Sequence, residues 1–546
     1  MTHANIIQPP RVPSQSIFDA YTAKGWWGPQ TFGTILEDRA QQHPDRVAMV
    51  DAYRRVTYGQ LWGLVRRFAE YLRQRGVGRG DVVTLQMPNR IEFAVVFFSL
   101  ELVGAVANKI SSDLRATEVE YILRFSKSKA YVCAQQFRGF DYTEMIRGVR
   151  TKLPELGVVV CTGSGDAPDM ASFERIVEQT PEIPERDRVR MAATDVMRMC
   201  FTSGTTGNPK GVLHDFNTTL CAARILNKEM RVTENDVLLC YLPVGLNWGY
   251  LTVLQAVLAG ARAVLLERFS AAAALELIER ERVTYIPTAP ASIVAMLNAD
   301  DLQQRDVASL RVVITGGASA SIEAIKAFHI AFPNARLIEL YGMLETGFHT
   351  FTRLDDDPLK VNGTIGRCVD ELELAVLDEA GKPVPYGEPG ELAARGPSVH
   401  LGYLNNDQAN RDSFTADDWF RTGDLGYFAD AAGNVRISGR KKEIINRGGK
   451  KYFPREIEDI LYEHPAFFQI AIVGMPDERL GERNCLCAVL KPGCSIGLDE
   501  IVALLKGRVA DYKLPEQLVL LDELPMTPTG KVRRPQLIEL VLAKSR

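Results

Sequence analysis

The chain of 546 residues has no pair of cysteines at Cys-x-x-Cys spacing. Its nine cysteines are scattered, and the closest two, Cys485 and Cys487, sit in an apolar run that reads as a strand. That argues against a metal site and for free, buried thiols in a reducing compartment. No apolar run reaches the roughly 18 residues that a membrane-spanning helix requires. Residues 93–106 are broken by Glu101, and residues 250–266 by Gln255 and Arg262. The N-terminus lacks the basic-then-apolar pattern of a signal peptide and carries Pro9 and Pro10 instead. There is no long basic run, and 64 basic against 68 acidic residues leave a net charge of −4, which gives no footprint for nucleic acid. Internal repeats and low-complexity tracts are also missing. The expectation is a soluble cytoplasmic protein with neither nucleic acid nor membrane as a partner.

What is present is apolar substance and alternation. Hydrophobic residues make up 46% of the chain, enough for large cores. The length allows roughly three or four domains. Leu61, Leu64, Val65, Phe68 and Leu72 stand at helical spacing, and a second helix is predicted over residues 91–102. Short apolar strands are predicted at residues 81–87, 130–133, 158–161, 263–266, 285–287 and 312–315. Strands separated by helices imply α/β layers with largely parallel sheets. From about residue 360 to 439, apolar runs are separated by Gly, Pro and Asp turns, which predicts an antiparallel, barrel-like unit. Beyond Lys441 helix and strand alternate again, so a boundary is expected near residues 440–442, dividing the chain into 1–439 and 440–546.

The densest chemistry is the segment TSGTTGNPKG at residues 202–211. Thr202, Ser203, Thr205 and Thr206 offer hydroxyls, Gly204 and Gly207 allow close backbone approach, and Lys210 supplies a point charge. Such a loop suits a polyphosphate, although the same residues also make solvated turns. The apolar runs on either side, residues 196–201 and 211–213, predict two strands that pin it. It is not a Walker A loop, because Lys210 is preceded by Pro209 and followed by Gly211.

Four further landmarks follow in order: YGMLE at 341–345, RTGD at 421–424, GRKKEII at 439–445 with Gly448 and Gly449, and PTGK at 528–531. Together with the loop they resemble the adenylate-forming enzymes, the group that includes acyl- and aryl-CoA ligases. The likeness runs from about residue 30 to 540. It implies a large N-terminal domain of two α/β subdomains plus a small β-barrel, followed by a small, mobile α+β C-terminal domain. It also implies ATP, Mg2+ and CoA as cofactors, and a two-step reaction. A carboxylate attacks the α-phosphate of ATP, pyrophosphate leaves, and a thiol then displaces AMP from the acyl-adenylate.

By the same resemblance, Ser203, Thr205, Thr206 and Lys210 hold the β- and γ-phosphates, and Glu345 is the Mg2+ ligand. Tyr341 lies against adenine, with Gly342 beside it, while Gly316, Gly317 and Ala318 let the base approach the backbone. Asp424 accepts from the ribose hydroxyls, and Arg440 reaches ribose or phosphate. Read from the residues alone, Tyr341 is equally a core aromatic and Asp424 a turn aspartate. Lys531 bridges carboxylate and α-phosphate in the first step. Lys442 is the hinge about which the C-terminal domain turns, and Gly448 and Gly449 line the pantetheine tunnel.

Two positions depart from that pattern. Leu344 stands where the family usually has a threonine that touches the α-phosphate, and Leu246 stands where a histidine or aromatic residue is common. Asn247 is similar to the asparagine of aryl-acid-activating members, whereas the run through His214 and Asn217 is similar to cyclohexanecarboxylate ligases. Leu246, Asn247, Trp248, Thr315, Gly316 and Met343 are expected to shape the acid pocket, with Trp248 either capping it or packing in the core. The resemblance thus implies a CoA ligase for a small aromatic or alicyclic acid, working as monomer or homodimer. The alternatives are an aryl-acid adenylating enzyme that loads a separate carrier protein, a medium-chain fatty acyl-CoA ligase, and a nucleotide-binding pseudoenzyme.

Overall fold

The structure is a computed structural model that describes residues 7–163, 169–202, 209–316, 322–526 and 532–544. Two large sheets dominate it, one of nine strands and one of seven. In the seven-stranded sheet, Val82–Gln86, Val106–Lys109, Ala130–Ala134 and Val158–Thr162 run parallel, as does Val196–Phe201 beside Val106–Lys109. In the nine-stranded sheet, Tyr285–Thr288, Val312–Gly316 and Arg336–Met343 are parallel neighbours, and Gly347–Phe351 turns back antiparallel. The strand Arg336–Met343 runs on through Tyr341, because Gly347–Phe351 supplies a partner for Tyr341–Met343.

Helices fill the space between the two sheets. Every residue of Ile91–Val103 is buried, Glu92 and Glu101 included, which is why that helix carries apolar residues on all its faces rather than on one. It stops at Gly104, whose φ of 76° is the left-handed cap conformation that glycine adopts most easily. Tyr58–Gln74 starts from a capping box formed by Thr57 and Gln60 and buries Leu61, Val65, Phe68 and Leu72 along one face. One apolar cluster joins Phe97, Phe216, Leu220, Tyr250 and Leu254. Asn89 ties the carboxyl ends of the sheets together. Its Nδ2 donates to the carbonyls of Cys240, Leu242 and Leu266 at 3.0–3.2 Å, and its Oδ1 accepts from Val244 N–H at 2.9 Å.

The region predicted as barrel-like is a four-stranded antiparallel sheet of Glu373–Leu377, Gly390–Arg395, Phe420–Phe428 and Val435–Arg440. Its pairing is antiparallel as expected, but among the described residues its first and last strands do not pair with each other. A five-stranded sheet follows, built on the long hairpin of Phe467–Asp477 with Gly481–Leu490. Among the described residues no helix is long and apolar enough to cross a membrane.

Candidate active site

The phosphate-loop strands form as the sequence predicts. Val196–Phe201 pairs antiparallel with Gly211–Asp215. The ladder extends one step into the loop: Thr202 N–H donates to Lys210 C=O at 3.1 Å, and Lys210 N–H donates to Thr202 Oγ1 at 3.3 Å. Thr202 and Lys210 therefore close the stem from opposite sides. Ser203, Gly204, Thr205, Thr206 and Gly207 lie outside the described residues, as do Gly317, Ala318 and Lys531.

Lys210 and Glu345 meet on either side of one aromatic ring. Lys210 Nζ lies 4.7 Å from the centre of the Tyr403 ring, and the Tyr403 hydroxyl donates to Glu345 Oε1 at 3.1 Å. Burial pushes the Glu345 carboxyl up. Its own backbone N–H, Tyr403, Lys210 and Arg440 pull against burial without cancelling it. Tyr403 was not among the residues singled out in the sequence. It is brought here by a short antiparallel match between residues 401–404 and the return strand of the loop, with Leu401 N–H on Leu213 C=O at 2.9 Å and Leu404 N–H on Gly211 C=O at 2.8 Å. No local pattern announces such a contact.

Tyr341, Asp424 and Arg440 form a second cluster. The Tyr341 hydroxyl donates to Asp424 Oδ2 at 2.7 Å, and Arg440 Nε donates to Asp424 Oδ1 at 3.1 Å. Asp424 and Arg440 face each other as register partners across the antiparallel sheet, so strand pairing alone sets them side by side. Burial, then the Asp424 carboxylate, holds the Tyr341 phenol well above its ordinary value, so it remains a proton donor. A carboxylate with two oxygens keeps lone pairs for further donors after these two contacts. Gly342 has no room for a side chain, since a Cβ there would stand 2.3 Å from Gly347 O. At Gly316 a Cβ would meet Leu340 Cδ1 at 2.6 Å. Arg440 bonds Asp424 and is also among the cations that lower the Glu345 carboxyl, so the two clusters lie within electrostatic reach of each other.

The expected acid-pocket residues gather beside that site. Leu246 precedes the helix Asn247–Ala259, and Asn247 and Trp248 form its first turn. Trp248 leans on Phe348 with ring centres 5.5 Å apart, and Phe348 is the strand partner of Gly342. Thr315 and Gly316 pair with Glu339 and Leu340 on the strand that carries Tyr341. Met343 packs against the small cluster of Tyr341, Ile365 and Val435. Asn247 Oδ1, Trp248 Nε1 and Thr315 Oγ1 are buried atoms without a hydrogen-bond partner. Buried polar atoms are ordinarily satisfied, so these three are the ones among the expected pocket residues that could still take a partner.

The C-terminal residues are positioned by local geometry. Lys442 is exposed in the short turn Lys441–Glu443 that follows Arg440. Gly448 and Gly449, with φ of 61° and 81°, make the two-residue turn between Ile445–Arg447 and Lys450–Tyr452. Two consecutive left-handed residues are what a tight hairpin turn demands, so this pair has a local reason to be glycine.

Among the described residues no group of three or more His, Cys, Asp or Glu is gathered to hold a metal. Glu345 is a hard oxygen donor of the kind that suits Mg2+, which commonly takes one or two carboxylates and completes its shell with phosphate and water.

Residues 36–404 match the AMP-binding enzyme family, and residues 456–531 match the C-terminal domain of AMP-binding enzymes. The chain is 32% identical to the medium-chain fatty-acid–CoA ligase of Escherichia coli (strain K12), over 94% of this chain and 91% of that protein. It is 32% identical to the 2,3-dihydroxybenzoate-AMP ligase of Bacillus subtilis (strain 168), over 96% of each chain. Its structure resembles that of an anthranilate CoA ligase in complex with anthranoyl-AMP, with a TM-score of 0.87 and 27% identity over 95% of this chain and 98% of that one.

Proposed function

The chain belongs to the AMP-binding enzyme family, and from that premise we propose that it is an ATP-dependent, AMP-forming acid–CoA ligase for a small aromatic or alicyclic carboxylic acid, acting in the cytoplasm. The orphaned polar atoms at the head of the helix Asn247–Ala259 carry the choice of acid. An acid without polar substituents, whether an alkyl chain or a plain ring, would leave Asn247 Oδ1 and Trp248 Nε1 unsatisfied, at a cost of about 1–3 kcal/mol each. A compact ring bearing polar substituents would not.

In this reading an oxygen of the acid attacks the α-phosphorus of ATP. The bond to the bridging oxygen breaks, and pyrophosphate leaves with the electron pair. Lys210 and the hydroxyls of residues 202–206 hold the departing charge. Asp424 orients the ribose, with Tyr341 and Arg440 fixing the carboxylate from either side. Lys531 bridges the acid and the α-phosphate. Glu345 would hold Mg2+, which when bound supplies charge neutralisation on the phosphates. CoA thiolate then attacks the acyl carbonyl and AMP leaves.

A second reading, an aryl-acid adenylating enzyme that loads a carrier protein, is favoured by the unpaired Asn247 Oδ1, an acceptor suited to a ring hydroxyl. The deciding experiment incubates the protein with ATP, Mg2+, CoA and a panel of benzoates, cyclohexanecarboxylates and medium-chain fatty acids, reading AMP and thioester. The expected outcome is AMP and acyl-CoA with a ring acid. Turnover of fatty acids alone would overturn the ring-acid reading. Acid-dependent ATP–pyrophosphate exchange without a CoA thioester would transfer the assignment to the carrier-loading alternative.

A further inference from the structure

His214 connects the phosphate loop to the turn that bears Glu345. It lies in the return strand Gly211–Asp215 and is 1% exposed. Its Nε2 is 2.9 Å from the Leu344 carbonyl oxygen, and its Nδ1 is 3.1 Å from Thr218 Oγ1. Burial, with Arg198 and His400 as cationic or potentially cationic neighbours, holds the ring far below its ordinary pKa, so it is neutral. A carbonyl only accepts, which puts the single ring hydrogen on Nε2. Nδ1 then faces the Thr218 hydroxyl, whose one hydrogen is shared with Asp215 Oδ1 at 2.8 Å. Thr218 is itself held, because Asp215 caps the helix Phe216–Glu229 by accepting from Thr218 N–H at 2.8 Å.

The far end of this connection is the candidate metal-holding residue. The Leu344 side chain packs against the apolar core, so position 344 offers its backbone, not a hydroxyl, as the polar attachment. The next carbonyl, that of Glu345, accepts from His400 N–H at 2.6 Å. Glu345 Oε1 is held by Tyr403. Two successive carbonyls and one carboxylate oxygen are thus fixed by groups on, or paired with, the return strand of the phosphate loop.

We propose that His214 is a positioning residue for the reaction: by donating to the Leu344 carbonyl it holds the Glu345 carboxylate in register with the phosphate loop. The inference rests on the reading of Glu345 as the Mg2+ ligand. Groups that orient a metal ligand from behind are typically worth 10- to 100-fold in metal affinity.

The test uses two amides that divide the histidine's contacts between them. His214→Asn keeps a polar atom near Nδ1 but cannot reach Leu344, whereas His214→Gln keeps a donor near Nε2. Mn2+ serves as the probe, its free concentration read by electron paramagnetic resonance in the presence of an α,β-methylene analogue of ATP. Binding of AMP without metal reports whether the nucleotide site remains intact. The expected result is about tenfold weaker Mn2+ binding in His214→Asn, substantial recovery in His214→Gln, and metal-free AMP binding unchanged in both. The half-saturating Mg2+ for ATP–pyrophosphate exchange rises in parallel. Wild-type Mn2+ affinity in His214→Asn, when Glu345→Gln has lost it, overturns the role of His214 alone. Undiminished Mn2+ binding in Glu345→Gln overturns both the role and the metal-ligand reading beneath it. Equal weakening in the Asn and Gln variants also refutes it, because a merely structural histidine would not discriminate between them. If neither variant folds, Thr218→Val tests the same link through the group that orients the ring, with a smaller loss of the same kind expected.

Discussion

Single residues carry charges here that no pattern in the sequence reveals. Lys109 and Arg198 are each 1% exposed, on neighbouring parallel strands, and both lie over the ring of Tyr250. Arg198 finds Thr219 and the Cys200 sulfur, whereas among the described residues Lys109 Nζ has no oxygen partner and turns only to the same sulfur. Burial pushes the Lys109 ammonium from its ordinary 10.5 down to about 8, Arg198 adds repulsion, and the Cys200 thiol pulls the other way. Burial would raise that thiol too, yet the two cations outweigh it and hold it below its usual range. In the unfolded chain Lys109 binds its proton up to a higher pH than in the folded one. The cost of burying it is therefore fully present below about pH 8 and is relieved as pH rises from 8 towards 10.5. Replacing a buried ion by an apolar residue of similar volume is often neutral or stabilising by about 1–4 kcal/mol. Lys109→Met is expected to raise the melting temperature at pH 7 and to remove part of the stabilisation that the parent gains between pH 8 and 10; an unchanged pH profile in differential scanning calorimetry would refute this. The strands themselves are legible in the sequence, because strands buried on both faces read as apolar runs. The two cations inside them are not, since their cost depends on which helices cover the sheet.

At the scale of the element, glycines set how closely turns and helices approach the site. Gly249 sits in the first helical turn behind Asn247 and Trp248, where a Cβ would stand 2.2 Å from Pro243 O and 2.4 Å from Leu242 O. Both are backbone atoms and cannot rotate away, so a side chain must push the helix start off the preceding turn. Gly249→Ala is expected to raise KM for the acid at least tenfold while leaving KM for ATP within about threefold, because about 1.4 kcal/mol of displaced contact corresponds to a factor of ten. Equal changes in both constants would disconnect this turn from the acid pocket. Much at this scale was legible beforehand. The strands around the phosphate loop follow from apolar runs on each side of a Gly- and Thr-rich break, and the helices from periodic Leu, Val and Phe. Two things were not. The extension of Arg336–Met343 through Tyr341 depends on a partner strand later in the chain. Tyr403 contacts Glu345 across 58 positions, by strand pairing that leaves no periodic trace.

At the scale of the whole molecule, the proposed adenylation site draws on Lys210 and Lys531, more than 300 positions apart. Asp424 and Arg440 end the four-stranded sheet, Lys442 follows at once, and Glu443 then pairs with Arg534. Arg534 begins the last helix, three positions beyond Lys531. Its Nε reaches Glu443 at 3.2 Å, its Nη2 reaches Glu458 at 2.9 Å, and its Nη1 donates to the Ile472 carbonyl. The start of the last helix is thereby tied, through one largely buried guanidinium, to the residue next to the proposed hinge. If Lys531 acts only while the acid attacks ATP, Lys531→Ala should lower acyl-AMP formation by on the order of 10²- to 10³-fold. It should largely spare thioester formation from supplied acyl-AMP. Arg534→Gln breaks the tether without touching Lys531, and it should bias the two half-reactions in the same direction to a smaller degree. ATP–pyrophosphate exchange reads the first half-reaction, and CoA consumption with synthetic acyl-AMP reads the second. Loss of a buried ion-pair partner commonly costs about 3–5 kcal/mol, so Arg534→Gln will also melt earlier. For that reason the ratio of the half-reactions, not either rate, is the quantity that decides. Equal loss in both for Lys531→Ala would remove Lys531 from the first step, and with it the reason to expect Arg534→Gln to shift the ratio of the half-reactions.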